Sequence, residues 1–272
     1  MSISILNNIS SLVAENAVST TQSNLQNTLT QLSTGLKINS GADDPAGLSV
    51  ADGLGANISA LTQSSQNASD GVGLLQTADG ALSQVTNILN QAVTIATEAS
   101  NGGLTTSQAS ALDNEYQSIL NEITQIGSTT NFNGTSVFST VASSVYTSDG
   151  TTSGSTNTTT AVGALSATGL ALTGNLLTTT AAQASLTAIT AAISTVAASR
   201  GTVGASINQL NADTNVENTE VQNLTAAQNN VQDADIAQTT SKLTQYNILE
   251  QTGFDALSQS NQAEQNVLKL IQ

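Results

Sequence analysis

The chain has 272 residues and a formal charge of −15, from 19 acidic and four basic side chains. That balance does not suit nucleic acid or an anionic membrane surface, both of which are bound through clustered Lys and Arg. Histidine, cysteine and tryptophan are absent, which excludes cysteine–histidine zinc sites, disulfides, thiol nucleophiles and imidazole acid–base chemistry.

The opening stretch, MSISILNNIS, has no basic n-region and no long apolar h-region, so it does not read as a Sec signal. No membrane-spanning segment is expected. Apolar positions then recur in alternating steps of three and four at Ala14, Val18, Leu25, Leu29, Leu32 and Leu36, which predicts a first helix. Leu32 to Ala51 interrupts it. This run holds Gly35, Lys37, Asn39, Gly41, the acidic pair Asp43–Asp44 and Pro45, the only proline, and it is predicted to bend the chain. Asp44 immediately before Pro45 suits the first turn of a helix, where acidic side chains are favoured.

The heptad-like spacing resumes from Leu54 through Leu75, Leu82 and Leu89 to Ala96, and Asn101-Gly102-Gly103 ends it. Thr105 or Thr106 can cap a third helix carrying Ala109, Tyr116, Ile119 and Ile123. From Gly127 to about Thr180 the pattern stops, and Gly, Ser and Thr dominate an expected exposed centre. Asn133-Gly134 and Asp149-Gly150 are turn signals, and Ser136–Phe138 and Ser144–Thr147 are candidate strands. A fourth helix follows through Ile189, Ile193, Val196, Val203, Ile207 and Leu210, and a last one through Leu243, Tyr246, Leu249, Leu257, Leu268 and Ile271. The second and fourth helices are each expected to run about 45 residues, roughly 70 Å. The fold class is therefore mainly α, with long coiled-coil-like helices from both chain ends packed side by side and a small β-hairpin region in the middle. Aromatics make up only 2%, little for a compact enzyme core or pocket. The first 44 residues hold too few large apolar side chains to offset the entropy of ordering them, so the ends must order against other segments or other copies of the chain.

Several blocks resemble bacterial flagellin. Leu32–Ala51 is similar to the family's L-S-S-G-L-R-I-N-S-A-x-D-D-A-A-G-L-A-I-A, with Thr34, Lys37, Gly41 and Pro45 as variations. Asn67–Leu82 resembles N-A-N-D-G-I-S-L-L-Q-T-A-E-G-A-L, Phe132-Asn133-Gly134 matches F-N-G, and Arg200–Ala205 matches R-A-x-L-G-A. Asp233–Ala237 is similar to D-x-D-I-A and is followed by Ile248–Gln251, Gln259–Gln262 and Val267–Ile271. The resemblance implies a non-enzymatic, extracellular filament subunit for motility. Such a subunit is exported unfolded by the flagellar type III apparatus with an export chaperone, and it assembles with copies of itself, the filament cap and hook-junction proteins. No cofactor, metal, nucleic acid or membrane insertion is implied. It also implies an organisation: residues 1–44 form an inner-layer arm and bend, 45–140 the long second-layer helices, and 141–180 an exposed centre. Residues 181–230 form the returning second-layer helix and 231–272 the inner-layer terminal helix. Inner-layer packing falls to Leu25, Leu29, Leu32, Leu243, Leu249, Leu257, Leu268 and Ile271, and the bend Gly35, Lys37, Asn39, Asp43, Asp44 and Pro45 contacts neighbouring subunits. The hook–filament junction protein and a secreted helical adhesin are the alternative readings.

Individual residues are weighed against these roles. Asp43–Asp44 and Asp233/Asp235 could bind a metal, but structural roles at helix ends are the better reading. Lys37 is expected to pair with Asp43 or Asp44, within the loop or between subunits. Arg200, the only arginine, is expected to form an intrachain or interface ion pair. Ile88–Glu98 aligns with the segment by which many flagellins engage a Toll-like receptor. Leu89, Gln91 and Thr94 would face that receptor, but both family arginines are missing, so weak activation is expected. The family's arginine before D-x-D-I-A is also missing, since Asn229-Asn230-Val231 stands there. The central Ser/Thr run is read as an unmodified loop, with O-linked sugar as the alternative.

Overall fold

The computed structural model describes residues 8–139, 143–148, 156–160 and 162–271. The described residues form five helices: α1 (Ile9–Thr34), α2 (Pro45–Ala99), α3 (Thr106–Thr129), α4 (Thr179–Gln232) and α5 (Ile236–Ile271). Two antiparallel pairs of short strands lie between α3 and α4: β1 (Asn131–Phe132) with β2 (Thr135–Ser136), and β3 (Ser143–Thr147) with β4 (Thr156–Thr160). The mainly α class with a small β region is as expected. α2 and α4 have 55 and 54 residues, longer than the apolar pattern suggested. At the start of α4, residues 179–185 continue the helix without a large apolar side chain to mark it. The chain divides into two compact units, residues 57–222 and residues 1–56 with 223–272. The division falls within α2 and α4.

In the 57–222 unit the core is a heptad seam. On α2, Leu61, Ala68, Leu75, Leu82, Leu89 and Ala96 recur every seventh residue, and Ser64, Gly71, Ala78, Val85, Ala92 and Ala99 form the second phase; all are buried. α4 runs antiparallel to α2 and presents Ala182, Ile189, Val196, Val203, Leu210 and Glu217, again at steps of seven and all buried. Alternation of small and large side chains along two phases lets antiparallel helices interdigitate. α3 folds back after Asn101-Gly102-Gly103. Thr105 starts it with a full capping box: its hydroxyl accepts from the Gln108 N–H, and the Gln108 side chain accepts from the Thr105 N–H. Tyr116 and Ile123 of α3 are wholly buried in the same core. One window of α4 reaches a mean hydropathy of 1.3, enough by length and composition to cross a membrane. Within this unit its Ile189, Ala192 and Val196 belong to the protein core instead.

Asn133 and Gly134, with φ of 50° and 79°, make the two-residue turn joining β1 to β2. The strand expected at Ser136–Phe138 is instead Thr135–Ser136, because Val137 and Phe138 turn into the core. The expected Asp149-Gly150 turn lies outside the described residues. A larger correction concerns the centre. Residues 162–178 are not exposed as a whole: Val162, Leu165, Ala167, Leu172 and Leu176 are buried along α3. Side chains of α3 hold this backbone, with Asp113 Oδ1 accepting from Leu176 N at 2.8 Å and Gln117 Nε2 donating to Gly174 O at 3.2 Å. Such anchoring leaves no local periodicity in the sequence, which is why the segment reads as loose.

In the other unit α1 and α5 pair antiparallel. Asn8 caps α1 by accepting from Ser11 N, and it also donates to Glu264 and accepts from the Ser260 hydroxyl. The Ser11 hydroxyl donates to Asn261. A side chain at Gly253 of α5 would strike Val18 of α1. The pair nevertheless buries little: Val18 and Thr28 are the buried residues of α1.

Candidate functional site

The site comprises the bend after α1, the matching break before α5, and the apolar side chains these helices leave exposed. α1 ends where Gly35 takes a left-handed conformation, φ 75°, and its N–H closes the last turn on Gln31 O. Leu36 then bridges Asp233 antiparallel. Lys37 N donates to Gln232 O at 2.7 Å and Ala234 N to Gly35 O at 2.9 Å. The bend and the break are thus fastened backbone to backbone, beside a buried Ile38.

Three of the four acidic side chains of the site accept from backbone donors. Asp43 Oδ2 accepts from Asn39 N, Ser40 N and the Ser40 hydroxyl, which hold its carboxyl below the usual range in that order of strength. Asn39 in turn donates to Leu36 O. Asp44 Oδ1 accepts from Ala46 N and Gly47 N, capping α2 with Pro45 as the first helical residue. Asp235 Oδ1 accepts from Gln238 N at the start of α5, and Asp233 sits in the bridge. No group of three or more metal-ligating side chains converges among the described residues. The expected Lys37 ion pair is not seen: the one ion pair among the described residues is Arg200–Asp79. The carboxylates that Lys37 was expected to meet face nearby N–H groups instead. Replacing Asp44 with Ala is expected to cost about 1 kcal/mol through the lost cap, read as a lower chemical-denaturation midpoint. An unchanged midpoint would show that the cap contributes nothing.

Arg200 forks onto Asp79, Nε to Oδ1 at 2.8 Å and Nη2 to Oδ2 at 3.2 Å, with both side chains more than a third exposed. The pair ties α4 to α2 within the 57–222 unit. It lowers the Asp79 carboxyl, chiefly through the hydrogen bond, and raises the guanidinium. Of the segment aligned with receptor contacts, Gln91 and Thr94 are exposed, but Leu89 is wholly buried in the core seam. Leu89 is therefore not available to a partner.

The exposed apolar side chains of this unit lie on α1 and α5 and the start of α2. Ile9, Leu12, Val13, Leu29, Val50, Ile236, Ile248, Leu249 and Phe254 are exposed there, nine of the twelve large exposed apolar side chains among the described residues, although this unit is the smaller one. Leu25, Leu32, Leu243 and Leu257 are half-buried. The side chains of Leu268 and Ile271 lie outside the described residues. Sequence reading missed Asn8 and Ser11, whose partners Ser260 and Asn261 lie in a block that it did single out. It also missed Glu217, which falls on the heptad phase of Leu210.

The model of the bacterial flagellin N-terminal helical region matches residues 5–143, half of the chain, and that of the C-terminal helical region matches residues 186–271. The chain belongs to the bacterial flagellin family. Relatives include Flagellin 1 of Proteus mirabilis, 39% identical over 132 residues, which are 48% of this chain and 36% of the relative. Flagellin of Serratia marcescens is 41% identical over 129 residues, 47% of this chain and 37% of the relative. The matches therefore span little more than a third of the length of these relatives. The crystal structure of Bacillus cereus flagellin is 30% identical, with a TM-score of 0.49, over 56% of this chain and 88% of that one. Both flagellin regions meet in the α1–α5 pair, the N-terminal one supplying α1 and the C-terminal one α5.

Proposed function

We propose that this flagellin-family chain is a structural subunit that polymerises into the extracellular filament of the bacterial flagellum and serves motility. The observation that carries the reading is the concentration of exposed apolar side chains on the thin α1–α5 unit. A pair of helices with so little core of its own gains most from neighbours that cover both. Repeated copies in head-to-tail register supply such neighbours, and a heterologous contact whose rotation does not close builds an open helical polymer. Family membership supports the same reading. Export in an unfolded state through the flagellar type III apparatus with a chaperone, and contact with filament cap and hook-junction proteins, follow from it as proposals, as does subunit contact through Lys37 and its bend. No catalytic role is proposed.

Seeded assembly watched by negative-stain microscopy tests the proposal: micrometre filaments are expected, and persistent monomers in the presence of seeds would overturn it. Copies carrying −15 each repel. Raising salt from dilute buffer to about 0.5 M, where the Debye length is about 4–5 Å, is expected to speed polymerisation. Equal rates by light scattering at the two salt concentrations would count against a charge barrier.

A further inference from the structure

One buried group in the 57–222 unit has no structural partner sufficient for its charge. Glu217 stands on the core phase of α4, one heptad after Leu210, and is 6% exposed. Its Oε1 accepts from the hydroxyl of Ser64, which is itself 1% exposed on the core phase of α2. Its Oε2 has no hydrogen-bond partner among the described residues. Ser64 has a second acceptor within reach, the Tyr146 carbonyl of β3 at 3.4 Å. Asn67 Nδ2 lies 3.5 Å from that same carbonyl. Close by, Val145 packs where a side chain at Gly71 would stand.

A hydroxyl has one proton to donate, so Ser64 can serve the carboxylate or the strand, but not both strongly. The charges around Glu217 do not favour its anion. Asp213 and Glu220 on its own helix are acidic. α2 offers Ser64 and, further along, Asp70, while strands β3 and β4 hold Tyr146 and no charged residue. The unit's single basic residue, Arg200, is bound to Asp79 seventeen positions away along α4, roughly 25 Å of helix. No three metal-ligating side chains converge here among the described residues.

We propose that Glu217 is a proton-operated latch for the β3–β4 hairpin. When a proton from solvent binds the carboxylate, the Glu217 O–H donates to Ser64 Oγ, and the Ser64 proton turns to the Tyr146 carbonyl. Loss of that proton returns the Ser64 hydroxyl to the carboxylate and removes this hydrogen bond from β3. Burial raises the Glu217 carboxyl, and Asp213 and Glu220 raise it further against the opposing Ser64 hydrogen bond. An acid with a raised folded-state value binds its proton more tightly when folded. The latch is therefore present at acid pH and is lost as pH rises through that value.

Hydrogen exchange at residues 145–147 of the full-length monomer, as protection factors corrected for intrinsic rate, reads the latch. In the native chain, protection is expected to fall about tenfold between about pH 4, below the ordinary carboxyl value, and about pH 8, one hydrogen bond's worth. Glu217→Gln keeps a donor and should hold the acid level of protection at both pH values. Ser64→Ala should show the low level at both. A carboxyl-carbon NMR titration of Glu217 should have its midpoint where native protection changes. The proposal is overturned if Glu217→Gln keeps the native pH response, or if native protection does not change with pH. A carboxyl midpoint away from the change would also overturn it. The first two results would leave Glu217 a plain polar layer that sets helix register.

Discussion

A chain carrying Leu249→Asp and Phe254→Asp together is expected to fold as a monomer and to fail to polymerise. Both side chains are about half exposed on α5, so the monomer loses little when they change. Covering their free halves in an assembly gains on the order of 1 kcal/mol each, and a buried aspartate in the same place adds a desolvation cost. A loss of about 2–3 kcal/mol per contact raises the critical concentration roughly 30- to 150-fold. Sedimentation of salt-treated protein measures that concentration. A value equal to that of the unaltered chain would show that this face is not an interface. Thermal unfolding of the monomer is the control, since a folded core with no filaments separates a lost interface from a lost fold.

Gly127→Ala is expected to be the most damaging single methyl in the 57–222 unit. Gly127 lies in the last turns of α3, and a Cβ there would stand 1.8 Å from the Leu165 carbonyl oxygen. That neighbour is backbone, held in place by Leu165 itself and by Ala167 N donating to Thr124 Oγ1. It cannot step aside without pulling Val162, Leu165 and Ala167 out of the core. Overpacking costs about 1–3 kcal/mol and more where backbone must move, so about 3 kcal/mol is expected. That is a melting-point drop of about 6–12 °C for a unit of this size. The same change at Gly80 or Gly201, where nothing lies within 4 Å, should not destabilise, because a helical alanine is better than a helical glycine. Calorimetry on the three variants decides it, and equal melting points would contradict the packing account.

Acid and alkali are expected to act on different parts of the molecule. Asp43 and Asp79 have lowered carboxyls. Their contributions are present above the ordinary carboxylate range and are lost as pH falls through the lowered values. Glu217 has the opposite sign. Acid therefore loosens the bend and the Arg200 pair, while rising pH loosens the hairpin.

The legible parts of the fold were those with a short-range cause. Gly35, Pro45 and the Asp44 cap announce a bend because each limits its own backbone, and Asn133-Gly134 announces a tight turn for the same reason. The seam from Leu61 to Ala99 was visible as a period of seven. Glu217 shares that period but is ionisable, so an apolar pattern passes over it. The packing of 162–178 was hidden because Asp113, Gln117 and Thr124 act on backbone about forty to sixty positions away. Lys37 misled because opposite charges close in sequence invite pairing, whereas the Asp43 and Asp44 carboxylates find N–H groups nearer still. The exposed face on α1 and α5 was half legible: heptad leucines marked the helices, but which positions stay uncovered depends on how the two ends meet.

The two backbone hydrogen bonds between the bend and the break bear on the order of folding. Joining Leu36 to Asp233 closes a loop of about two hundred residues, a closure whose entropic cost is lowest once the intervening chain is already compact. The terminal helices are thus late to form and early to fray. Each packs on the other, so loosening either end releases both.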